Sequence, residues 1–98
     1  MVKKIEWTYA SVRDRVDIYR YWEDRNKSDF YSEKLELLFN EAANLIAQFP
    51  HAGTETNVPN LRIKVVKQFR IYYLNQKDVV QIIRVWDTRR NPESFSLS

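Results

Sequence analysis

The spacing of apolar residues changes from a helical period to an alternating one between Phe49 and Leu61. Tyr31, Leu35, Leu38, Ala42, Leu45 and Phe49 recur every four and three residues, with Phe39 and Ile46 widening the stripe. That spacing lines one face of a helix. Pro50 ends it, because proline disfavours the helical conformation of the residue before it. Beyond His51–Asn60, which holds the only glycine, the period becomes two. Leu61, Ile63 and Val65 alternate with Arg62 and Lys64, and Phe69, Ile71 and Tyr73 with Arg70 and Tyr72. Alternation of this kind predicts strands with one covered face. The run Val79–Trp86 is apolar on both parities, as a strand covered on both faces requires.

Ahead of the long stripe, Ile5-Glu6-Trp7 reads as a short strand and Thr8 as the cap of a helix with Val12, Val16, Tyr19 and Trp22 on its inner face. Asn26 or Ser28 restarts the chain. The expected fold is α+β, a β-α-α-β-β-β order in a single mainly antiparallel sheet packed against a helical hairpin. Leu38, Leu45, Ile63, Ile71 and Ile83 are its expected core. With 98 residues and no linker, 1–98 reads as a single domain. The 44% hydrophobic and 14% aromatic content excludes a disordered chain. There is no cysteine and only one histidine, so neither a disulfide nor a zinc site is expected. No apolar run is long enough for a membrane span. The chain therefore reads as a cytoplasmic protein with no cofactor, no metal and no membrane partner.

Charge divides with the period. Residues 1–60 carry eight Lys or Arg against ten acids, a balance of −2, and residues 61–98 carry eight against three, a balance of +5. A basic half is a footprint for phosphate or an acidic partner, or else a solvated strand face. Arg62 and Lys64 share a strand face by their spacing of two. Trp86, on the face of Arg84, is placed to stack a base, anchor a protein partner or finish the core. Of Tyr72 and Tyr73, which alternate sides, one faces away from the core. Asp87 reads as a cap of the turn that follows it, and His51 as a surface residue.

The order of elements, together with Trp7 and Ala10, Phe49-Pro50-His51-Ala52-Gly53, Leu61-Arg62, Phe69-Arg70-Ile71-Tyr72-Tyr73 and Ile83–Pro92, resembles the RelE/ParE toxin superfamily. The resemblance covers nearly the whole chain. It implies the toxin of a bacterial type II toxin–antitoxin pair, of the kind also associated with plasmid stabilization, held inactive by a cognate antitoxin. Two targets come with it. RelE-like members cut messenger RNA on the ribosome without a metal, using the RNA's 2′-hydroxyl. ParE-like members poison DNA gyrase and cleave nothing themselves. The first reading expects Arg70 and Arg89, with Arg62 and Lys64, to stabilise a phosphorane, and Arg84, Trp86, Arg90 and Tyr72 to contact RNA or a partner. RelE-like enzymes often carry a Tyr or His near the C-terminus. This chain has neither after Tyr73, and Phe95 stands close to the expected place. A ribosome-dependent endoribonuclease is the leading expectation from the basic strands, with gyrase inhibition next. A degenerate member that only binds its antitoxin or nucleic acid is the third reading.

Overall fold

The computed structural model describes residues 2–90, so Phe95 lies outside the described residues. Strand β1 (Lys4–Trp7) leads into helices α1 (Tyr9–Asn26) and α2 (Phe30–Gln48), followed by β2 (Thr54–Glu55), β3 (Leu61–Val66), β4 (Phe69–Asn75) and β5 (Val79–Asp87). The five strands form one sheet in the order β1-β5-β4-β3-β2, parallel at β1–β5 and antiparallel elsewhere. The expected α+β fold is present. The loop after Pro50 adds the two-residue strand β2, which pairs Thr54 with Ile63 and Glu55 with Arg62.

Local chemistry places the helix ends. The Thr8 hydroxyl accepts a hydrogen bond from the Ser11 amide at 3.1 Å, satisfying one of the free amides of the first turn of α1. Lys27 closes α1 in the left-handed region, at φ 54°. At the start of α2 the Ser28 hydroxyl accepts from the Phe30 amide at 3.2 Å.

The inner faces of both helices differ from the expected ones by a partial turn. In α1, Ser11 and Ile18 are buried and Trp22 packs on the core, whereas Val12 and Val16 are 45% and 38% exposed. Hydroxyls explain the shift. Ser11 Oγ donates to Thr8 O at 2.8 Å and Ser32 Oγ donates to Tyr19 O at 2.8 Å, so small polar residues sit satisfied where the helices meet other elements closely. In α2 the buried residues are Ser32, Leu35, Phe39, Ala42, Ala43, Ile46 and Ala47. Alanines there let the helix lie close to the sheet. Leu38 is half-buried, and Leu45 is 38% exposed, against expectation.

In the sheet Ile71 is fully buried, but Ile63 and Ile83 are only half-buried. Ile63 pairs with Tyr72, on the face away from the helices, because cross-strand partners share a face. A register shift between Tyr72 and Tyr73 pairs Tyr73 with Ile82 and leaves Ile83 without a direct partner on β4, so Ile82 takes the core position. Phe39 meets Phe69 edge-to-face at 5.1 Å in the middle of this core.

Phe39→Ala should therefore cost about 3–5 kcal/mol of stability, as large-to-small changes in packed cores do. Leu45→Ala should cost under about 1 kcal/mol, as partly exposed sites do. Urea unfolding of the two variants checks the ranking; a larger loss at Leu45 would contradict the position of α2.

Candidate functional site

β5 runs on beyond β1, which pairs only with Val79–Ile82. The upper edge of β5 is met by α1 instead. Thr8 Oγ1 donates to Ile83 O at 3.1 Å, and the Asp14 carboxylate accepts from the Val85 amide at 2.9 Å. The same carboxylate takes Arg84 Nε at 2.7 Å and Nη2 at 3.0 Å, a bidentate pair on largely buried side chains. The hydrogen bond to Asp14 raises the Arg84 pKa further above its ordinary value, so the guanidinium stays charged. Sequence reading missed Asp14, which sits among other charges on α1 with no spacing signal.

Above this edge lies an open hollow of about 240 Å3 between α1 and the end of β5, walled by Asp17, Trp86, Asp87 and Arg90 among others. Asp87 is 3% exposed. It accepts from Trp22 Nε1 at 3.1 Å and from the Arg89 amide at 3.0 Å, which is the turn-capping role expected of it. Arg90 stacks its guanidinium 4.4 Å from the Tyr21 ring centroid. Arg89 is exposed just past the strand.

The register divides the remaining candidates. Arg62 pairs with Tyr73 and Lys64 with Ile71, both core residues, so these two cations share the helix-side face of the sheet. Arg70 pairs with Val65 and Trp86, and Tyr72 pairs with Ile63 and Arg84, all on the opposite face. The eight residues singled out from sequence thus fall into a helix-side pair, an outer-face row and a group at the end of β5.

Arg62 is occupied. Its guanidinium donates to Gly53 O at 2.8 Å, His51 O at 3.3 Å, His51 Nδ1 at 3.1 Å and Glu55 Oε1 at 3.1 Å. An arginine has only donors, so His51 Nδ1 is the acceptor in this contact. These groups border a second hollow, of about 250 Å3, which Asn75 also lines. Beneath the same loop, fully buried Tyr73 donates to Pro50 O at 2.7 Å and accepts from the Gly53 amide at 2.9 Å. A methyl group on Gly53 would lie 2.6 Å from that hydroxyl, which accounts for the chain's only glycine. Tyr73 is therefore structural, and Tyr72 is the tyrosine that shares a face with Arg70. Among the described residues no group of His, Asp and Glu is arranged to hold a metal ion, and no helix is long and apolar enough to cross a membrane.

The two helices on one face of an open, mixed five-stranded sheet define a small toxin fold of the RelE/ParE superfamily. Residues 5–92 match the family described as ParE toxin of the type II toxin–antitoxin system parDE, and the chain belongs to that family. The fold is also that of a solved structure titled "Chromosomal ParDE TA system from P. aeruginosa". It superposes with a TM-score of 0.74 at 19% identity, over 86% of this chain and 94% of that one. No curated protein sequence matches. The chain is thus a ParE-family toxin, and a cognate antitoxin is its implied partner.

Two outcomes test this geometry. Asp14→Ala removes the acceptor shared by Arg84 and the Val85 amide, and should cost about 2–4 kcal/mol in urea unfolding. Asp14→Asn, which keeps one acceptor for the amide, should cost less. The second concerns pH. Burial pushes the Tyr73 hydroxyl pKa up, so the folded state holds this proton more tightly than the unfolded chain. Its contribution is complete below the ordinary tyrosine pKa of about 10 and is lost as pH rises through the higher folded value. Tyr73→Phe should be less stable at neutral pH and lose less stability between about pH 9 and pH 11. An unchanged alkaline slope would contradict the assignment.

Proposed function

We propose that this toxin acts by binding and poisoning DNA gyrase, as ParE-like proteins do, and not by cutting RNA. The observation that carries the reading is the division of the candidate cations. Cleavage through a 2′-hydroxyl needs a base, an acid and cations converging on one phosphate. Arg62 and Lys64 lie on the opposite face of the sheet from Arg70 and Tyr72, and the Arg62 donors are held by the loop that Tyr73 anchors. Arg70 is exposed on a face that carries Val65, Ile63, Tyr72 and Trp86, a mixture of cation, aromatic and aliphatic groups suited to a protein surface. The match to the ParE toxin family points the same way.

On this reading Arg70 and Trp86 contact the target on a face that Tyr72, buried at 7% exposure, helps to form, Arg89 and Arg90 extend that contact at the end of β5, and no residue is catalytic. Gyrase and antitoxin meet the toxin in the bacterial cytoplasm. The RelE-like alternative keeps Arg70 and Arg89 as phosphate ligands, with Arg70 exposed enough to reach RNA.

Induction of the toxin without its antitoxin separates the two. Gyrase-linked DNA breaks should rise while messenger 5′ ends stay unchanged. Arg70→Ala should weaken gyrase binding by about tenfold or more, as loss of an interface arginine does. New messenger ends in the wild type, reduced about 100- to 1000-fold in Arg70→Ala, would overturn the proposal in favour of the ribonuclease.

A further inference from the structure

The helical hairpin carries apolar side chains on the side that does not meet the sheet. In α1, Tyr9, Val12 and Val16 are 76%, 45% and 38% exposed, and in α2 Phe30 and Leu37 are 79% and 65% exposed. At 100° per residue the first three lie roughly 120–180° round α1 from buried Ile18. Phe30 and Leu37 lie roughly 160–180° round α2 from buried Phe39. All five therefore stand on the back of the hairpin. Large apolar groups gathered on one exposed face mark an interaction site more often than a solvated surface.

The seam between the helices fixes how this face is laid out. Arg15 donates to Glu36 and Asn40, the Tyr19 hydroxyl donates to Glu33, and Ser32 Oγ donates to the Tyr19 carbonyl. These bonds satisfy the polar groups in the middle and set Val16 level with Leu37. Charge lies outside the seam. Arg13 and Arg20, both exposed, flank the apolar line of α1 on its side away from α2. Exposed Glu41 and Lys34 flank that of α2 on its side away from α1.

We infer that this face binds a second copy of the chain, hairpin against hairpin, with α1 of each copy lying on α2 of the other. A two-fold axis parallel to the helices exchanges them and keeps their levels. Val16 of each copy then meets Leu37 of the other at the centre, Arg13 lies beside Glu41, and Phe30 covers the aliphatic stem of Arg20. Charge selects this occupant. A partner of one sign would meet a like charge on one of the two helices, whereas the exchange brings Arg13 to Glu41 twice. Lys34 faces Arg20 across the same flank, which keeps the association weak. Area agrees with that strength. An aromatic side chain offers about 150–250 Å2 when it is covered. The five apolar groups and their rim, counted over both copies, bury on the order of 1,000 Å2, the low end for a specific interface. Both sheets lie outermost in such a dimer, so the face of Arg70 stays free. The inference thus goes beyond the choice of target and does not depend on it.

Sedimentation equilibrium of the purified full chain, from low to high micromolar concentration, tests this. Wild type should pass from monomer to dimer. Val16→Glu and Leu37→Glu, both at exposed positions, should each weaken dimerisation at least about 30-fold, as loss of a central anchor does. Arg13→Glu and Glu41→Arg should each weaken it about five- to tenfold, because two opposite-charge pairs become two like-charge pairs. The two reversals combined restore the pairs, and should return dimerisation to within about threefold of wild type. Lys34→Glu should tighten it about threefold, by giving Arg20 a partner. Circular dichroism verifies that each variant is folded. A chain that stays monomeric over the whole range overturns the proposal. A dimer left intact by Val16→Glu and Leu37→Glu, or a combined reversal weaker than either single one, overturns it as well. If the chain is monomeric and Leu37→Glu abolishes binding of antitoxin or gyrase, the face belongs to that partner. The toxin reading survives each of these failures, since none of them bears on toxicity or its target.

Discussion

On the side away from β4, the upper half of β5 has no strand beside it, and much of the architecture follows from how that edge is closed. An unpaired strand edge is a template for pairing with other chains. Here the carboxylate of Asp14 accepts the Val85 amide and holds Arg84 by two hydrogen bonds, so a helix does what a sixth strand would otherwise do. This fixes α1 along the edge, with Trp22 reaching Asp87 at the strand's end. Once α1 is fixed, the short connection through Lys27 and Ser28 sends α2 back across the sheet, where Lys3 meets the carbonyl of Ala47 at 3.0 Å. A charge pair this buried stabilises little by itself, because desolvation offsets its attraction. Its effect is positional: it selects one placement of the hairpin on the sheet.

The elements were legible in the sequence because hydrophobic period reports local geometry. The change of period at Pro50, the Thr8 cap and the three long strands all appear where expected. Orientation was less legible. Val12 and Val16 attracted the inner face of α1 by their hydrophobicity, yet Ser11 occupies it, since a hydroxyl bonded to its own helix needs no water and little room. Leu45 and Phe49 have the same lesson on α2, where alanines give the closer approach. The shift of register at Tyr72 and Tyr73 exchanges Ile83 for Ile82 in the core, and period two alone carries no signal for it.

The candidate site was legible as composition but not as an assembly. Arg62, Lys64, Arg70, Arg84, Arg89 and Arg90 all stand in the basic C-terminal part, and the sequence groups them by sign. Strand parity separates them, because Arg62 and Lys64 differ from Arg70 in the face on which they stand. Asp14 and Glu55 come from the acidic N-terminal part and take up two of these cations, so the charge asymmetry is partly consumed within the fold.

This distinction bears on what an arginine offers to a partner. A guanidinium keeps its charge when paired, but its donors are finite and directional. For Arg62 to grip a phosphate it would have to release Gly53 O, His51 and Glu55, and so loosen the loop against which Tyr73 is closed. Arg70 carries no such obligation to that loop and stands exposed on the open face. The balance of +5 over residues 61–98 therefore overstates the groups able to meet a ligand without rearrangement. Long-range attraction follows the total charge, whereas tight recognition depends on the donors still available.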